Sequence, residues 1–275
     1  MKKPIIISIA NHKGGVLKTT TTVNLGAALA RRGKKVLVVD LDPQENLTRS
    51  LVGKVEYVEG VPTLCDAIIE QSPVDALIMS TGRENLDLIP VTEDFCSVEL
   101  SLAPQMGREL ALKTAFARSP ALSRYDYVLL DNPPSLSVLV MNSLIVSDYY
   151  LVPCSSEYLP MVGLTMLGSS IGQAQEMAPN LKTLGVVLTM YARSEKICRS
   201  VENILKERLG EKLLDSKVRV NTKAKAAPSV QKTIFEYEDD PKGRGTEDYT
   251  KLAEEVEGRI EAFESQEDLD KAANG

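Results

Sequence analysis

A lysine, two glycines and a Lys-Thr pair stand between a predicted strand and a predicted helix near the start of the chain. The segment reads Lys13-Gly14-Gly15-Val16-Leu17-Lys18-Thr19-Thr20. This layout is typical of a P-loop, in which backbone N–H groups and a helix N-terminus bind phosphate oxygens. A lysine reaches the β- and γ-phosphates, and a hydroxyl coordinates Mg²⁺. The segment therefore predicts a phosphate site centred on Lys18 and Thr19.

Acidic residues stand at the ends of two more apolar runs. The run at 35–40 leads into Asp40-Leu41-Asp42-Pro43-Gln44, and the run at 127–131 leads into Asp131-Asn132-Pro133-Pro134. A single acid at a strand end can serve only as a cap for the next helix. Because the carboxyl ends of parallel strands meet at one edge of a sheet, we expect these acids to lie beside the phosphate site. Three such motifs at one edge predict a ligand site more specifically than one motif alone.

Short apolar runs alternate with helical patterns along the chain. This predicts an α/β fold with a mostly parallel twisted sheet covered by helices on both faces, as in P-loop NTPases. The predicted strands are residues 4–10, 35–40, 86–91, 127–131, 149–153 and 183–189. The predicted helices are residues 19–32, 63–71, 98–116, 137–146, 160–177, 196–209 and 247–263.

The composition argues against several classes of protein. The chain has 275 residues and is 43% hydrophobic, which suits one α/β domain with a substantial core. No apolar run is long enough to span a membrane, and the first residues do not resemble a signal peptide. The four cysteines are scattered and there is one histidine, which disfavours a structural zinc site and fits reduced thiols. An iron–sulfur cluster shared between two copies stays open as a remote alternative.

The P-loop segment departs from the strict pattern G-x-x-x-x-G-K-[ST], because His12 and Leu17 replace its two glycines. With Lys13 it resembles the deviant Walker A box of the ParA/MinD ATPases, Lys-Gly-Gly-x-Gly-Lys-Thr. The resemblance continues to about residue 261, through the Asp-x-Asp-Pro-Gln switch, the Walker B strand at 125–135 and the adenine-framing segment at 221–229. It also includes a strand and loop with Val152, Pro153, Glu157 and Tyr158. The adenine segment and the last helix fit the ParA branch better than the MinD branch.

The resemblance implies ATP and Mg²⁺ as cofactors and a role for each matched residue. Lys13 would reach the nucleotide of a partner subunit, as an arginine finger does, although a solvated loop lysine is the alternative. Asp42 would orient the attacking water, and the expected catalytic residues are Lys13, Lys18 and Asp42. Thr19 would bind Mg²⁺ directly, and Asp40 and Asp131 would do so through water. The expected nucleotide-binding residues are Gly14, Gly15, Val16, Leu17, Lys18, Thr19, Thr20, Asn221, Pro228 and Ser229.

Leu17 is the main departure from the family pattern. If its position requires φ > 0, a leucine costs roughly 1–3 kcal/mol, and its side chain could crowd the β-phosphate. Alternatively, the position is near-helical and the side chain points away from the nucleotide. We expect nucleotide binding to persist, because the other contact residues are present.

Basic residues concentrate in one C-terminal stretch, although the net charge is −6. Residues 193–232 carry 11 Lys/Arg against 5 Asp/Glu, whereas residues 236–275 carry 5 against 14. On a helix at 196–209, the predicted core face contains Ile197, Val201, Ile204 and Leu205. The opposite face of this helix carries basic residues, and it is either a solvated face or a surface that contacts phosphates. The resemblance to ParA favours non-specific binding of double-stranded DNA. The expected DNA contacts are Arg193, Lys196, Arg199, Lys206, Arg219, Lys223 and Lys225.

These features predict a single ParA-like ATPase domain at residues 1–264 and a polar, acidic, disordered tail at 265–275. The resemblance implies a homodimer that forms on ATP binding, associates with the nucleoid in the cytoplasm and hydrolyses ATP slowly. A ParB-like or other small adaptor protein would stimulate hydrolysis. Repeated release and rebinding would then segregate or position a plasmid, a chromosome or a protein-based compartment.

Two alternatives remain at this point. Leu17 could suppress turnover, which would leave a nucleotide-regulated scaffold. A MinD-like ATPase on a membrane surface should end in a basic amphipathic helix, but the last residues here are acidic. Anionic lipid would repel them, and we expect no membrane partner.

Overall fold

One sheet forms the centre of the computed structural model, which describes residues 3–135, 137–156 and 160–274, with side chains omitted at 160–166 and 271–274. Within these ranges the sheet has eight strands in the order β3-β4-β2-β5-β1-β6-β7-β8. The strands are β1 (Ile5–Ile9), β2 (Val36–Asp40), β3 (Met79–Arg83), β4 (Leu86–Ile89), β5 (Tyr127–Asp131), β6 (Tyr149–Ser155), β7 (Lys182–Tyr191) and β8 (Leu213–Arg219). Glu157 and Tyr158 lie outside the described residues.

Helices cover both faces of this sheet. They are α1 (Lys18–Arg31), α2 (Asn46–Leu51), α3 (Leu64–Ile69), α4 (Val98–Leu102), α5 (Ala111–Ala117), α6 (Val138–Val146), α7 (Pro160–Met177), α8 (Lys196–Leu209), α9 (Thr222–Ala226), α10 (Ile234–Glu238) and α11 (Arg244–Asn274). Short 3₁₀ turns lie at Asp75–Leu77, Glu93–Ser97, Arg108–Leu110, Pro120–Arg124, Gly210–Lys212 and Ala227–Val230. None of the described helices combines the length and the apolar composition needed to cross a bilayer.

The predicted α/β fold is confirmed: β3 pairs antiparallel with β4, and the other strand pairs are parallel. All six predicted strands are present. The sequence analysis missed β3 and β8, which form the two edges of the sheet. Both edge strands mix polar and exposed residues with apolar ones, so neither produces the continuous apolar run of a strand buried on both faces.

Two hydrophobic layers enclose the sheet. Ile7, Val38 and Leu129 belong to the layer beneath α1 and α11, whereas Leu37 and Val128 belong to the layer beneath α3, α5 and α6. Since alternate residues of a strand point to opposite faces, β2 and β5 are buried along their whole length. The strands at the centre of the sheet therefore hold their carboxyl ends in rigid positions.

The predicted single helix at 98–116 is wrong, because α4 and α5 are separate there. Pro104 and Gly107 lie in the interruption, and Gly107 has φ +68°. Proline removes a helical hydrogen bond, and a left-handed glycine ends a helix.

The last helix is longer than the predicted span of 247–263. Its buried face, which includes Tyr249, Leu252 and Val256, packs on the layer beneath α1. Beyond residue 264 the helix continues through exposed polar residues, where Gln266 donates to Asp270 at 3.0 Å. Such i,i+4 pairs and good helix formers support a helix without a buried face. The division into a domain at 1–264 and a tail at 265–275 stays a prediction.

Candidate active site

The loop between β1 and α1 is positioned by two strands on one side of β1. Asn11 donates from Nδ2 to the carbonyl of Pro153 on β6 (2.7 Å), and its Oδ1 accepts from the amide of Lys13 (3.0 Å). From β7, the Thr189 hydroxyl donates to the carbonyl of Val16 (3.0 Å). The fold thus shapes this loop with residues distant in sequence, which is the preorganisation that a phosphate-binding loop needs.

Lys18 is the first residue of α1, and its side chain is buried between acids. Burial lowers the pKa of Lys18, whereas Asp131 and Asp42 act in the opposite direction. Among the described residues, its one hydrogen bond is a long contact of 3.4 Å from Nζ to the carbonyl of Lys13. The ammonium therefore retains N–H donors for an anionic ligand.

Asp40 and Asp131 end neighbouring strands and lie opposite each other in the β2–β5 register. Both carboxyl groups are fully buried. Burial raises the pKa of both, and Asp40 adds to the rise at Asp131 while the Thr19 hydroxyl opposes it. A pair of buried acids, one of them beside a buried lysine, is a site that a cation or a charged ligand would stabilise.

The two oxygens of Asp131 have different surroundings. Oδ1 accepts from the Thr22 hydroxyl at 3.0 Å, whereas Oδ2 is buried without a hydrogen-bond partner. An orphaned carboxylate oxygen beside Thr19 fits a water ligand of Mg²⁺, which retains several waters when bound by few carboxylates. The described residues contain no cluster of three or more His, Cys, Asp or Glu that could hold a metal ion by themselves. These residues therefore fit Mg²⁺ held together with phosphate oxygens.

The acids of β2 are bound into the turn that follows. Asp40 accepts from the amide and the hydroxyl of Thr48 (2.9 and 2.8 Å) and from the amide of Asp42 (3.1 Å). Asp42 accepts from the amide of Gln44 (3.0 Å). Asp40 thus ties α2 to the sheet, and Asp42 stays near Lys18.

Leu17 occupies the left-handed region, with φ +64° and ψ +34°. The near-helical alternative for its backbone is therefore wrong. A second non-glycine residue of the site, Glu45, has φ +57° and pairs with Arg49 at 2.9 Å. Glu45 was not among the expected site residues. Its position directly after the Asp-Pro-Gln motif was the signal in the sequence that could have identified it.

The adenine-framing segment borders a cavity of about 190 Å³ beside the P-loop. Leu17, Thr20, Asn221 and Pro228 line it, whereas Ser229 is exposed and donates its hydroxyl to the carbonyl of Ala226 (2.7 Å). The structure thus brings most of the expected base-side residues to the P-loop, but not Ser229.

Glu238 fixes the position of Asn221, and the sequence analysis missed it. Its carboxylate accepts from Asn221 Nδ2 (2.8 Å) and from the amides of Gly245 and Thr246 (3.1 and 2.8 Å). A Cβ at Gly243 would come within 2.2 Å of this carboxylate, so only glycine fits there. The signal in the sequence was the Gly-x-Gly of residues 243–245.

The expected DNA contacts, which we call the basic edge, are Arg193, Lys196, Arg199, Lys206, Arg219, Lys223 and Lys225. Most of them are exposed. The beginnings of α8 and α9 follow the carboxyl ends of β7 and β8, so they share a sheet edge with the P-loop. Lys206 lies ten residues along α8 from Lys196, about 15 Å away, and pairs with Glu202 (3.2 Å).

Two expectations about this edge need correction. Arg219 is not a free cation: it donates to Glu247 (2.6 Å) and Asp248 (2.7 Å), and these hydrogen bonds raise its pKa. On α8, Ile197 and Ile204 are 42% and 45% exposed. Val201 and Leu205 are buried as predicted, and Cys198 completes the core face. Helical periodicity alone does not resolve a shift of the buried face of α8 by one residue.

Comparisons with known proteins agree with this geometry. A family model described as an AAA domain matches residues 4–183. The chromosome partitioning protein ParA of Caulobacter vibrioides is 38% identical over 256 residues, which cover 92% of this chain and 94% of that protein. The sporulation initiation inhibitor protein Soj of Bacillus subtilis is also 38% identical, over 91% of this chain and 97% of Soj.

A solved structure agrees in fold and in ligand class. Cobyrinic acid a,c-diamide synthase from Mycobacterium smegmatis, with bound ADP and magnesium, has a TM-score of 0.76 and 30% identity. The match covers 92% of this chain and 93% of that one. The ligands of that protein belong to the class that the buried lysine and acids described above fit.

Proposed function

The chain belongs to the ParA family of P-loop ATPases with a deviant Walker A box, and we propose that it uses ATP to segregate or position a cargo. The observation that carries the proposal is the grouping of Lys18, Thr19, Asp42 and Asp131 at one edge of the sheet. We call these residues, together with Lys13 and Asp40, the phosphate face. ATP and Mg²⁺ are its cofactors.

In this proposal each buried group of the phosphate face has one task. Lys18 donates to the β- and γ-phosphates, and the amides of Gly14 to Thr20 surround the phosphate oxygens. Thr19 would hold Mg²⁺ through its hydroxyl, and Asp131 would do so through water. When bound, Mg²⁺ would supply positive charge beside the transferring phosphoryl group. Asp40 positions the segment that carries Asp42.

Asp42 and Lys13 carry the hydrolytic step in this scheme. Asp42 orients the attacking water and lies near Lys18. Lys13 is exposed, and among the described residues its side chain has no ion-pair partner. It is therefore available to a nucleotide held by a second copy, and two copies would enclose both nucleotides.

The basic edge provides the second half of the proposal. Arg193, Lys196, Arg199, Lys223 and Lys225 share a sheet edge with the nucleotide site, so an ATP-bound homodimer would fix both sets of cations relative to each other. Such a surface contacts DNA phosphates and carries no sequence information. A small ParB-like adaptor bound to the cargo would stimulate slow hydrolysis and release the dimer, which would act over the nucleoid in the cytoplasm.

The experiment that tests the proposal measures binding to a random-sequence DNA duplex with ATP·Mg²⁺, with ADP·Mg²⁺ and without nucleotide. We expect tight, salt-sensitive binding with ATP alone. A Lys196→Ala/Arg199→Ala variant should weaken binding and reduce the salt slope by about two. Lys113→Ala, an exposed lysine on α5, is the matched control. Equal binding in all three nucleotide states would contradict the proposed switch.

A nucleotide-regulated scaffold is the second candidate, and the left-handed conformation of Leu17 favours it. Strain of roughly 1–3 kcal/mol at this position could be relieved or increased as nucleotide binds. Basal and DNA-stimulated ATP hydrolysis separate the two functions. Turnover that Lys18→Ala abolishes supports the ATPase, whereas binding without any turnover supports the scaffold.

A further inference from the structure

The side chain of Leu17 lies on the base side of the P-loop. It packs against the hydrophobic layer that includes Val218 and Ala224, and it lines the cavity of about 190 Å³ that also contains Asn221 and Pro228. Thr20, the third residue of α1 and one of the expected nucleotide-binding residues, lines the same cavity. The cavity therefore adjoins the P-loop, and Leu17 forms part of its wall.

A second strained residue borders the same cavity. Met190, near the end of β7, has φ +52° and also lines the cavity. Large apolar residues seldom adopt the left-handed region, and such conformations cluster at ligand sites. Met190 lies outside the P-loop motif, so its conformation is an observation independent of that motif.

Two polar side chains that line the cavity are already engaged. Asn221 accepts from the amide of Lys223 (2.9 Å) and donates to Glu238 (2.8 Å). Arg219 is bound to Glu247 and Asp248. What the cavity offers a ligand is therefore chiefly the apolar surface of Leu17, Met190 and Val218. A flat heterocycle attached to a phosphate chain matches such a surface.

We propose that Leu17 is a base-contacting residue, which together with Met190 gives the nucleotide base an apolar wall that glycine could not provide. The inference rests on the proposed ATPase function. If Leu17 contacts the base, its side chain sets how the binding free energy of the nucleotide is divided between the base and the phosphates. The left-handed backbone at Leu17 directs this side chain into the cavity, toward β8 and α9.

The test compares a ligand that has a base with one that has none. Displacement of a ribose-labelled fluorescent ATP measures the affinities of ATP and of ribose 5′-triphosphate, each with Mg²⁺, and their ratio reports the contribution of the base. We expect Leu17→Ala, which keeps a non-glycine residue in the left-handed region, to lower this ratio about tenfold. Leu17→Met keeps the apolar volume and should preserve the ratio.

Two further variants separate the wall from other effects. Met190→Ala should lower the ratio in the same direction, because it removes the second apolar contact. Leu100→Ala, at a leucine that is 80% exposed on α4, is the matched control and should leave the ratio unchanged.

The outcomes distinguish this inference from the function on which it rests. Equal changes in ATP and ribose 5′-triphosphate affinity for Leu17→Ala would overturn the base contact while the ATPase stands. An ATP affinity that rises in both Leu17→Ala and Leu17→Gly would overturn it too, because Leu17 would then obstruct the base. If the wild-type protein bound neither ligand, the proposed nucleotide function itself would fail.

Discussion

The phosphate face and the basic edge occupy the same edge of one sheet, yet they treat charge in opposite ways. On the phosphate face, Lys18, Asp40, Asp42 and Asp131 are at most 7% exposed. On the basic edge the cations are mostly exposed, and Arg219 and Lys206 are paired with acids. Burial lowers the pKa of Lys18 and raises the pKa of Asp40 and Asp131, whereas water screens the exposed groups of the second region.

This difference changes how a count of charges should be interpreted. The surplus of six basic residues at 193–232 includes Arg219, which the acids of α11 neutralise. The phosphate face has few charges, but each of its buried charges has a large effect, because electrostatic interactions strengthen in a water-poor site. We therefore expect catalysis at the buried charges. At the exposed charges we expect polyanion binding to which each cation contributes independently.

The largest effect should come from Lys18→Ala. Loss of a buried donor to the transferring phosphate should lower ATP turnover by about 10²- to 10³-fold. The same change at the exposed Lys113 should have no such effect. Single-turnover hydrolysis measures both variants, and equal losses would contradict the comparison between buried and exposed charge.

Glu238→Gln tests a buried acid outside the phosphate face. The substitution keeps one acceptor oxygen but places an NH₂ group against backbone donors of α11, so we expect a loss of about 1–3 kcal/mol of unfolding free energy. Urea denaturation measures the loss, with Glu261→Gln on the exposed part of α11 as the control. An unchanged midpoint would show that Glu238 does not hold α11 and Asn221 in place.

Arg219→Ala and Lys196→Ala should differ in kind. Asp248 is 5% exposed in its side chain, and Arg219 is 39% exposed, so solvent screens part of their interaction. We expect Arg219→Ala to cost about 1–2 kcal/mol of stability and to leave the salt slope of DNA binding nearly unchanged. Lys196→Ala should do the reverse and reduce the slope by about 0.9. If Arg219→Ala changed the salt slope more than Lys196→Ala does, Arg219 would be a DNA contact after all.

The smallest effect should be seen at acidic pH for Glu202→Gln. Burial raises the pKa of Glu202, but hydrogen bonds from Lys217, Tyr191 and Lys206 outweigh it and lower the pKa from 4.5 to about 2. The unfolded chain therefore takes up this proton first, and stability present above pH 4.5 is lost as the pH falls toward 2. Melting curves between these pH values should fall less steeply for Glu202→Gln. Parallel curves would exclude a folded-state role for this carboxylate.

The sequence predicted the central strands and the shared edge of the acidic strand ends well, because both depend on local signals. The run at 127–131 predicted β5 to the residue, Asp40 lies opposite Asp131, and Lys18 lies near Asp131. It predicted the edges poorly, since β3 and β8 obtain their strand structure from a neighbour. The acid partners of Arg219 are 28 and 29 residues away in sequence, a separation over which composition carries no information.

The order of residues by itself determined the family and the parallel α/β fold, and it predicts which residues bind phosphate and Mg²⁺, because these need particular side chains at short, regular spacing. The tertiary structure alone decided three other points: the direction of the Leu17 side chain, the attachment of Asn221 to Glu238 and the neutralisation of Arg219. Each depends on which distant segments pack together. Packing is set by the burial of the whole core, and no local pattern of residues records it.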